Sequence, residues 1–236
     1  MHSVEKDIMT GMVRILNHPL EKAMLSKEQY NTRLEELKEF EEETNFMFLN
    51  SPNCPIDLQS VVKVISFDTQ NSKECDNAED VIKFANQKDM LVYMGVDGTN
   101  MSITYTDGII TKINIDSMLI DIKKICNIPY KINKNGTYIV QGKVTIVETD
   151  KMKFLAHNVI KDDGVSSREN LCEAKDLMFD VAPNWLATNF NPKNLQGVIN
   201  YIFDCASDEE LSCSGVVFKF NDVKDERCIV YKAQNK

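Results

Sequence analysis

The feature that most constrains the fold is a pair of alternating segments joined by two residues. The segments NMSITYT (100–106) and IITKINI (109–115) are rich in β-branched and aromatic residues, and Asp107-Gly108 lies between them. Residues of these types are typical of strands, and glycine supplies the positive φ angle that a two-residue turn requires. The sequence therefore predicts an antiparallel hairpin over 100–115.

Similar short strand patterns recur from about residue 60 onward and alternate with amphipathic stretches. The other predicted strands are VVKVISF (61–67), MLVYMG (90–95), TYIVQGKVTIV (137–147), SGVVFKF (214–220) and CIVYK (228–232). The predicted helices are NAEDVIKFANQ (77–87), SMLIDIKKI (117–125), RENLCEAKDLMF (168–179) and KNLQGVINYIFDC (193–205). This mixture indicates an α+β fold with mainly antiparallel sheets.

The segment before residue 50 has a helical pattern instead. Ser26 and Gln29 form a capping-box pattern, and the helix that follows carries one apolar stripe made of Tyr30, Leu34, Leu37 and Phe40. The prolines of NSPNCPID (50–57) break this pattern. We therefore expect a helical N-terminal subdomain over 1–58 and a larger nucleotide-binding domain over 59–236.

Composition excludes several classes of partner. The net charge is −9, which opposes binding to a polyanion, so direct contact with nucleic acid is not expected. The apolar runs are too short to cross a bilayer, and the N-terminus has no apolar signal core, so we expect a soluble cytoplasmic protein that does not bind membranes. The seven scattered cysteines contain no C-x-x-C pair and are expected to be reduced.

Several motifs, taken in order, resemble the N-terminal half of bacterial NAD-dependent DNA ligases. These are SKEQYNTRLEELKEFEEE, VISFDT, YMGVDGTNMSITYTDGIIT, IVQGKVTIV, GVVFKFND and IVYK. The resemblance covers nearly the whole chain and implies the small helical nicotinamide-side domain followed by an adenylation domain of the nucleotidyltransferase fold. It further implies a degenerate, stand-alone and viral form, because key positions of the family pattern differ.

The positions that differ are those that carry out nucleotidyl transfer in the family. Where the family has the lysine that attacks the α-phosphate of NAD, this chain has Gly95, which offers no nucleophile. Lys143 stands in place of the family's glutamate, Gln141 in place of its arginine, and Ser214 in place of an aspartate, so metal-side carboxylates are missing. The resemblance therefore implies a pseudoenzyme with no catalytic residue, no metal and no cofactor.

Other positions match the family's ligand contacts. Lys219 and Lys232 match two phosphate-contacting lysines, and Lys143 adds positive charge if its side of the strand lines the pocket. His18 and Tyr30 have a spacing similar to that of the family's nicotinamide-side histidine and tyrosine, although Lys27 and Asn31 replace two acids there. The predicted nucleotide-binding residues are Ser66, Phe67, Tyr93, Met94, Asp97, Lys143, Lys219 and Lys232, with His18 and Tyr30 as nicotinamide-side or second-ribose contacts. His157 and Trp185 are assigned to packing or to the surface.

These residues support three functional hypotheses. The first is a non-catalytic binder that sequesters an NAD-derived adenine nucleotide, such as ADP-ribose or a cyclic ADP-ribose signal, as a phage counter-defence protein in the bacterial host cytoplasm. The second is an active enzyme, either the adenylation subunit of a split NAD-dependent ligase or a nucleotidyltransferase that uses another lysine. The third is an interaction module that binds a protein partner, such as a host ligase or nuclease, through an acidic surface.

Overall fold

The computed structural model describes residues 3–67, 72–117, 119–148, 151–161, 166–222 and 224–232. The helices are α1 (Ser3–Asn17), α2 (Pro19–Ala23), α3 (Lys27–Thr44), α4 (Leu58–Val61), α5 (Ala78–Ala85), α6 (Ser167–Asp176) and α7 (Leu195–Asp208). The strands are β1 (Val62–Val64), β2 (Ser72–Cys75), β3 (Met90–Val96), β4 (Thr99–Thr106), β5 (Ile109–Ile115), β6 (Thr137–Glu148), β7 (Lys151–Ile160), β8 (Asn184–Ala187), β9 (Cys213–Phe220) and β10 (Cys228–Tyr231).

The predicted hairpin is confirmed. Strands β4 and β5 pair antiparallel, with Ile103 opposite Ile113, and the two turn residues have positive φ angles of 49° at Asp107 and 82° at Gly108. Both central residues of a type I′ turn need this conformation. The Asp107 carboxylate also accepts a hydrogen bond from the Gly136 N–H at 2.9 Å, which joins the turn to the start of β6.

Two five-stranded sheets carry the fold. The first sheet has the order β1-β5-β4-β6-β7, and the second has the order β2-β10-β9-β3-β8. The pairs β1–β5 and β2–β10 are parallel, and the remaining strand pairs in the two sheets are antiparallel. The predicted α+β class with mainly antiparallel sheets and a small helical N-terminal part is confirmed.

Each sheet buries one face in its own core. The apolar face of the second sheet, with Met90, Val92 and Phe218, belongs to the core that also contains residues of α5 and α7. The apolar face of the first sheet, with Ile103 and Val140, packs against the segment around the 3₁₀ turn Ile122–Lys124 and the end of α6. Because side chains alternate along a strand, the other face of each sheet carries a second set of residues, which in β3 includes the buried Leu91 and the half-buried Tyr93.

The N-terminal helices form a third core and are joined to the sheets by specific bonds. The predicted capping box of Ser26 and Gln29 is present, and the predicted stripe of α3 packs against α1. The Lys6 ammonium lies 2.7 Å from an Asp180 carboxylate oxygen. The N–H of Leu49 donates to the carbonyl of Ile128 at 2.7 Å, which ties this part to the larger one through the backbone as well. The boundary at residue 58 stays a prediction.

Three strands and one helix differ from the prediction. Strands β2, β7 and β8 were not predicted, because charged and amide side chains interrupt their alternation. The helix predicted over 117–125 is wrong for its described part, which contains only the 3₁₀ turn Ile122–Lys124; Met118 lies outside the described residues. All seven cysteines are free, as predicted. In the described ranges, no helix combines the length and apolar character needed to cross a membrane.

A glycine at the corner between β3 and β4 controls how the two sheets meet. A Cβ atom at Gly98 would overlap the Val144 carbonyl oxygen of β6, whereas a Cβ atom at Gly197 in α7 would meet nothing within 4 Å. We expect Gly98→Ala to lower the free energy of unfolding by about 2 kcal/mol or more. Gly197→Ala, the control, should raise it by about 0.5–1 kcal/mol. Urea unfolding measures both, and equal stabilities of Gly98→Ala and the unmodified protein would contradict the close approach.

Candidate functional site

The two sheets meet at an aromatic contact on the faces that lie opposite their separate cores. Tyr93 of β3 and His157 of β7 lie nearly parallel, with ring centroids 5.8 Å apart and an interplanar angle of 11°. Both side chains are half-buried. Since β3 belongs to the second sheet and β7 to the first, this contact marks the inner surface between the sheets.

Two lysines share this inner surface. Lys219 of β9 lies opposite Leu91 of β3 and therefore shares a face with Tyr93. Lys143 of β6 alternates with Val144, which is buried in the core of the first sheet, so Lys143 occupies the opposite, inner face. We call the group formed by Tyr93, Lys143, His157 and Lys219 the inter-sheet site.

The charges of the two lysines act on His157. Burial, followed by the charges of Lys219 and Lys143, lowers the pKa of His157 to about 4. Burial also lowers the pKa of Lys219, against the opposing influence of Glu226, Cys228 and Asp225. The imidazole is therefore neutral near pH 7 and can both donate and accept a hydrogen bond.

The tyrosine and a cysteine complete the site. Burial raises the pKa of Tyr93 above its ordinary value, with a smaller contribution from the nearby Cys228 thiol. Cys228 lies directly opposite Lys219 in the β9–β10 pair. Burial raises the pKa of Cys228, and the Lys219 charge opposes this shift. Both groups are therefore protonated near pH 7, and the charges at the site are those of its lysines and of the Asp225 and Glu226 carboxylates that act on Lys219.

Gly95, at the position of the expected nucleophile, is packed against β9. It pairs with Gly215, and its carbonyl accepts a hydrogen bond from the Ser214 hydroxyl at 2.8 Å. A Cβ atom at this position would lie 2.9 Å from the Gly215 carbonyl oxygen, which is closer than real Cβ atoms approach. Any side chain at residue 95 would therefore require β3 and β9 to move.

Asp97 and Gly98 form the corner at which the chain passes from the second sheet to the first. The Asp97 N–H donates to the Ser212 carbonyl at 2.9 Å, and the Asp97 carboxylate accepts from the Ser212 hydroxyl at 3.2 Å. Asp97 itself is exposed. These bonds brace the corner, and they place Asp97 at the end of the strand that carries Tyr93.

The structure separates several predicted nucleotide contacts from the inter-sheet site. The Met94 side chain is 1% exposed and lies in the core on the opposite face of β3 from Tyr93. Ser66 and Phe67 follow β1, at the far edge of the first sheet from β7. Four strand spacings, roughly 19 Å across a flat sheet, separate these edges.

Lys232 has a carboxylate partner of its own. Its ammonium lies 3.2 Å from a Glu74 carboxylate oxygen, and its N–H donates to the Cys75 carbonyl at 2.8 Å. Both partners belong to β2, so Lys232 lies at the β2 edge of the second sheet. A phosphate at this position would have to compete with Glu74.

His18 and Tyr30 do not line the same cavity. His18 precedes α2 and lines a cavity of about 1000 Å³, and Tyr30 is not part of that lining. Tyr30 instead packs on α1 as part of the helical core, with the Lys22 ammonium 4.7 Å from its ring centroid. The predicted pairing of these two residues at one ligand is therefore not seen in this structure.

Sequence reasoning missed His157 and Cys228. His157 packs against Tyr93, which agrees with its assignment to packing or to the surface, and it also lies within the electrostatic reach of two lysines. The β6–β7 register shifts between Gln141 and Gly142, opposite His157, so simple alternation does not give the direction of this side chain. Within the described ranges, no group of three His, Cys, Asp or Glu side chains could hold a metal ion.

Comparisons with known proteins give low-scoring structural neighbours. Neither a family model nor a curated protein matches this chain. An Aquifex aeolicus protein assigned as an ATP-dependent DNA ligase superposes with a TM-score of 0.43 and 14% identity, over 66% of this chain and 47% of that one. A mycobacterial DNA ligase D complexed with ATP and MES gives 0.41 and 10%, over 76% and 62%.

A third neighbour is a mutant of Naegleria gruberi RNA ligase with AMP and Mn. It gives a TM-score of 0.40 and 12% identity, over 75% of this chain and 61% of that one. The chain thus spans about half to three fifths of the length of these proteins. Scores of this size carry no argument about activity, so functional inference rests on the residues of the chain itself.

The environment of His157 predicts a specific dependence of stability on pH. The folded-state pKa is about 4, below the ordinary value of 6.5. As pH falls below 6.5, the unfolded chain binds a proton that the folded chain does not, so folding stability is lost between pH 6.5 and 4. Between pH 7 and pH 4.5, we expect the unfolding free energy of the unmodified protein to fall by about 1–3 kcal/mol more than that of His157→Gln.

Urea titrations of both proteins at the two pH values measure the difference. Lys143→Gln serves as a second variant. Removal of one charge that disfavours the imidazolium should raise the His157 pKa, so stability should fall less at low pH but should still fall. Parallel pH profiles for the unmodified protein and His157→Gln would contradict the buried, neutral imidazole.

Proposed function

We propose that this protein binds an adenine nucleotide derived from NAD at the inter-sheet site and holds it without converting it. The observation that carries the proposal is the convergence of Lys143 and Lys219 on a neutral imidazole between the two sheets. Ammonium groups in a partly desolvated position form strong charge-assisted bonds with phosphate oxygens. A ligand with two adjacent phosphates would compensate both lysine charges at once.

The rest of the inter-sheet site suits such a ligand. The neutral His157 has one ring nitrogen that donates and one that accepts, so it can bond to a phosphate oxygen or to a ribose hydroxyl. The Tyr93 hydroxyl, which stays protonated, can also donate to an oxygen. These groups favour the diphosphate and ribose portion of an NAD-derived molecule such as ADP-ribose or a cyclic ADP-ribose isomer.

The absence of turnover follows from the packing at Gly95. Covalent nucleotidyl transfer needs an amine that reaches the α-phosphate. Gly95 has no side chain, and its Cβ direction is closed by Gly215 and Ser214. A site that binds an anion without a positioned nucleophile retains its ligand, and this supports sequestration of an NAD-derived signal, as in a viral counter-defence protein, over catalysis.

Removal of either lysine should weaken nucleotide binding. We expect Lys219→Ala and Lys143→Ala each to weaken the binding free energy for ADP-ribose by about 1.5–3 kcal/mol, the scale of a hydrogen bond to a charged group. Isothermal titration calorimetry measures this, with AMP, NAD and cyclic ADP-ribose isomers as comparison ligands. Lys193→Ala, an exposed lysine of the 3₁₀ turn Pro192–Asn194, is the matched control.

The result for Lys232 separates this site from the one implied by the family resemblance. Glu74 already pairs with Lys232. Replacement of Lys232 by alanine should therefore lower the affinity for ADP-ribose less than replacement of Lys143 or Lys219 does. Unaltered ADP-ribose affinity in both Lys219→Ala and Lys143→Ala, or no binding of any adenine nucleotide to the unmodified protein, would overturn the proposal.

A separate experiment tests the lack of catalysis. After incubation with NAD or ATP and Mg²⁺, intact mass spectrometry should find the unmodified mass, and chromatography should find the nucleotide uncleaved. Gly95→Lys should also remain unmodified, because the new side chain has no room to take up the reactive position. A covalent AMP adduct on the unmodified protein would favour the adenylation subunit of a split ligase instead.

A further inference from the structure

A bulge in β7 turns two consecutive side chains toward the surface between the sheets. Gln141 of β6 lies opposite Asn158, and the pairing then shifts register and resumes at Ala156. His157 is the extra residue of this bulge. Ala156 and Val159 are buried in the core of the first sheet. Their neighbours His157 and Asn158 therefore both lie on the opposite face, which is the one that carries the inter-sheet site.

Gln141 and Asn158 form an amide pair on this face. The Asn158 side-chain N–H donates to the Gln141 side-chain carbonyl at 3.0 Å. Gln141 follows Val140, which is buried in the core of the first sheet, so its side chain points away from that core. Ser102, which lies opposite Gln141 on β4, accepts a hydrogen bond from the Asn114 amide at 3.2 Å. Both members of the amide pair are half-buried, so a ligand between the sheets can reach them.

The amide pair offers one donor next to one acceptor. Its internal bond leaves the Gln141 amide nitrogen free to donate and the Asn158 carbonyl oxygen free to accept. If oxygen and nitrogen were exchanged in both amides, the pair would still present one N–H group and one carbonyl. Adenine has the complementary edge, at which the N6 amine donates and a ring nitrogen accepts. A phosphate oxygen only accepts, so the Asn158 carbonyl could not bond to it.

The amide pair borders the groups that are proposed to hold phosphate. Lys143 follows Gln141 by two residues on the same face of β6, roughly 7 Å along the strand. The Lys143 charge acts on His157, which is the chain neighbour of Asn158. In a nucleotide the ribose separates the base from the phosphates. A ligand with its phosphates at Lys143 can therefore place its base at the amide pair.

We propose that the Gln141–Asn158 amide pair recognises the adenine base of the nucleotide bound at the inter-sheet site. This role rests on the proposed function and adds to it the residues that select the base. It differs from the adenine contacts implied by the family resemblance, because Ser66 and Phe67 follow β1 at the far edge of the first sheet. An arginine at position 141, as in that family, has donors only and could not accept the bond from Asn158.

Calorimetry with ADP-ribose and etheno-ADP-ribose tests this role. In the second ligand a two-carbon bridge blocks N1 and N6 of the base, while the diphosphate and both riboses are kept. The unmodified protein should bind ADP-ribose about tenfold more tightly, the discrimination that a paired donor and acceptor provide. Asn158→Ala and Gln141→Ala should each lose this preference through weaker binding of ADP-ribose. Their affinity for etheno-ADP-ribose should stay unchanged, which also shows that the variants are folded.

Two further variants serve as controls. Gln196 and Asn200 form an exposed amide pair on α7 with a bond of 2.8 Å, so Asn200→Ala is a matched change away from the site and should keep the preference. Lys219→Ala should weaken the binding of both ligands by the same factor, because both carry the same diphosphate.

The possible failures are distinguishable. Equal affinity of the unmodified protein for the two ligands, or a preference that persists in both Asn158→Ala and Gln141→Ala, would overturn base recognition by the amide pair and leave nucleotide binding intact. Absence of ADP-ribose binding to the unmodified protein would overturn the proposed function and the role of the amide pair with it.

Discussion

Burial of titratable groups between the two sheets is the constraint on which the account of this protein depends. Lys143 and Lys219 come from different sheets, and both charges act on the His157 imidazole between them. Burial of an ammonium group costs folding free energy, and burial is the main cause of the lowered pKa of Lys219. In the proposed complex, a phosphate group would pair with the ammonium groups and offset this cost, so the ligand would stabilise the folded protein.

Backbone packing at β3 makes this arrangement possible and also limits its chemistry. The corner at Asp97-Gly98 carries the chain from one sheet to the other, and Gly98 lies so close to β6 that no side chain fits. Three residues earlier, a Cβ atom at Gly95 would lie 2.9 Å from the Gly215 carbonyl oxygen of β9. The strand that presents Tyr93 to the inner surface therefore has no space for a reactive side chain at 95. In the proposed function, binding without covalent chemistry would follow from strand packing as well as from residue identity.

Local signals explain what the sequence could predict. The β4–β5 hairpin follows from a two-residue turn, and α3 follows from its capping box and apolar stripe, because all the residues concerned are neighbours in the chain. Strand β7 could not be predicted, because its alternation is interrupted and its pairing with β6 contains register shifts. Tyr93 and Met94 are adjacent in a strand buried on both faces, so only the structure shows which one points toward the surface between the two sheets.

The candidate site could not be predicted in full, because it depends on contacts between segments that are distant in the sequence. Lys143 and Lys219 stay predictions as ligand contacts, and the place of His157 beside them depends on its contact with Tyr93, for which a lone histidine gives no local signal. The most direct test is an NMR titration of the His157 imidazole against pH, with and without saturating ADP-ribose. The account predicts a pKa near 4 in the free protein that rises in the complex, because phosphate neutralises both lysines. A pKa that ADP-ribose leaves unchanged would contradict it.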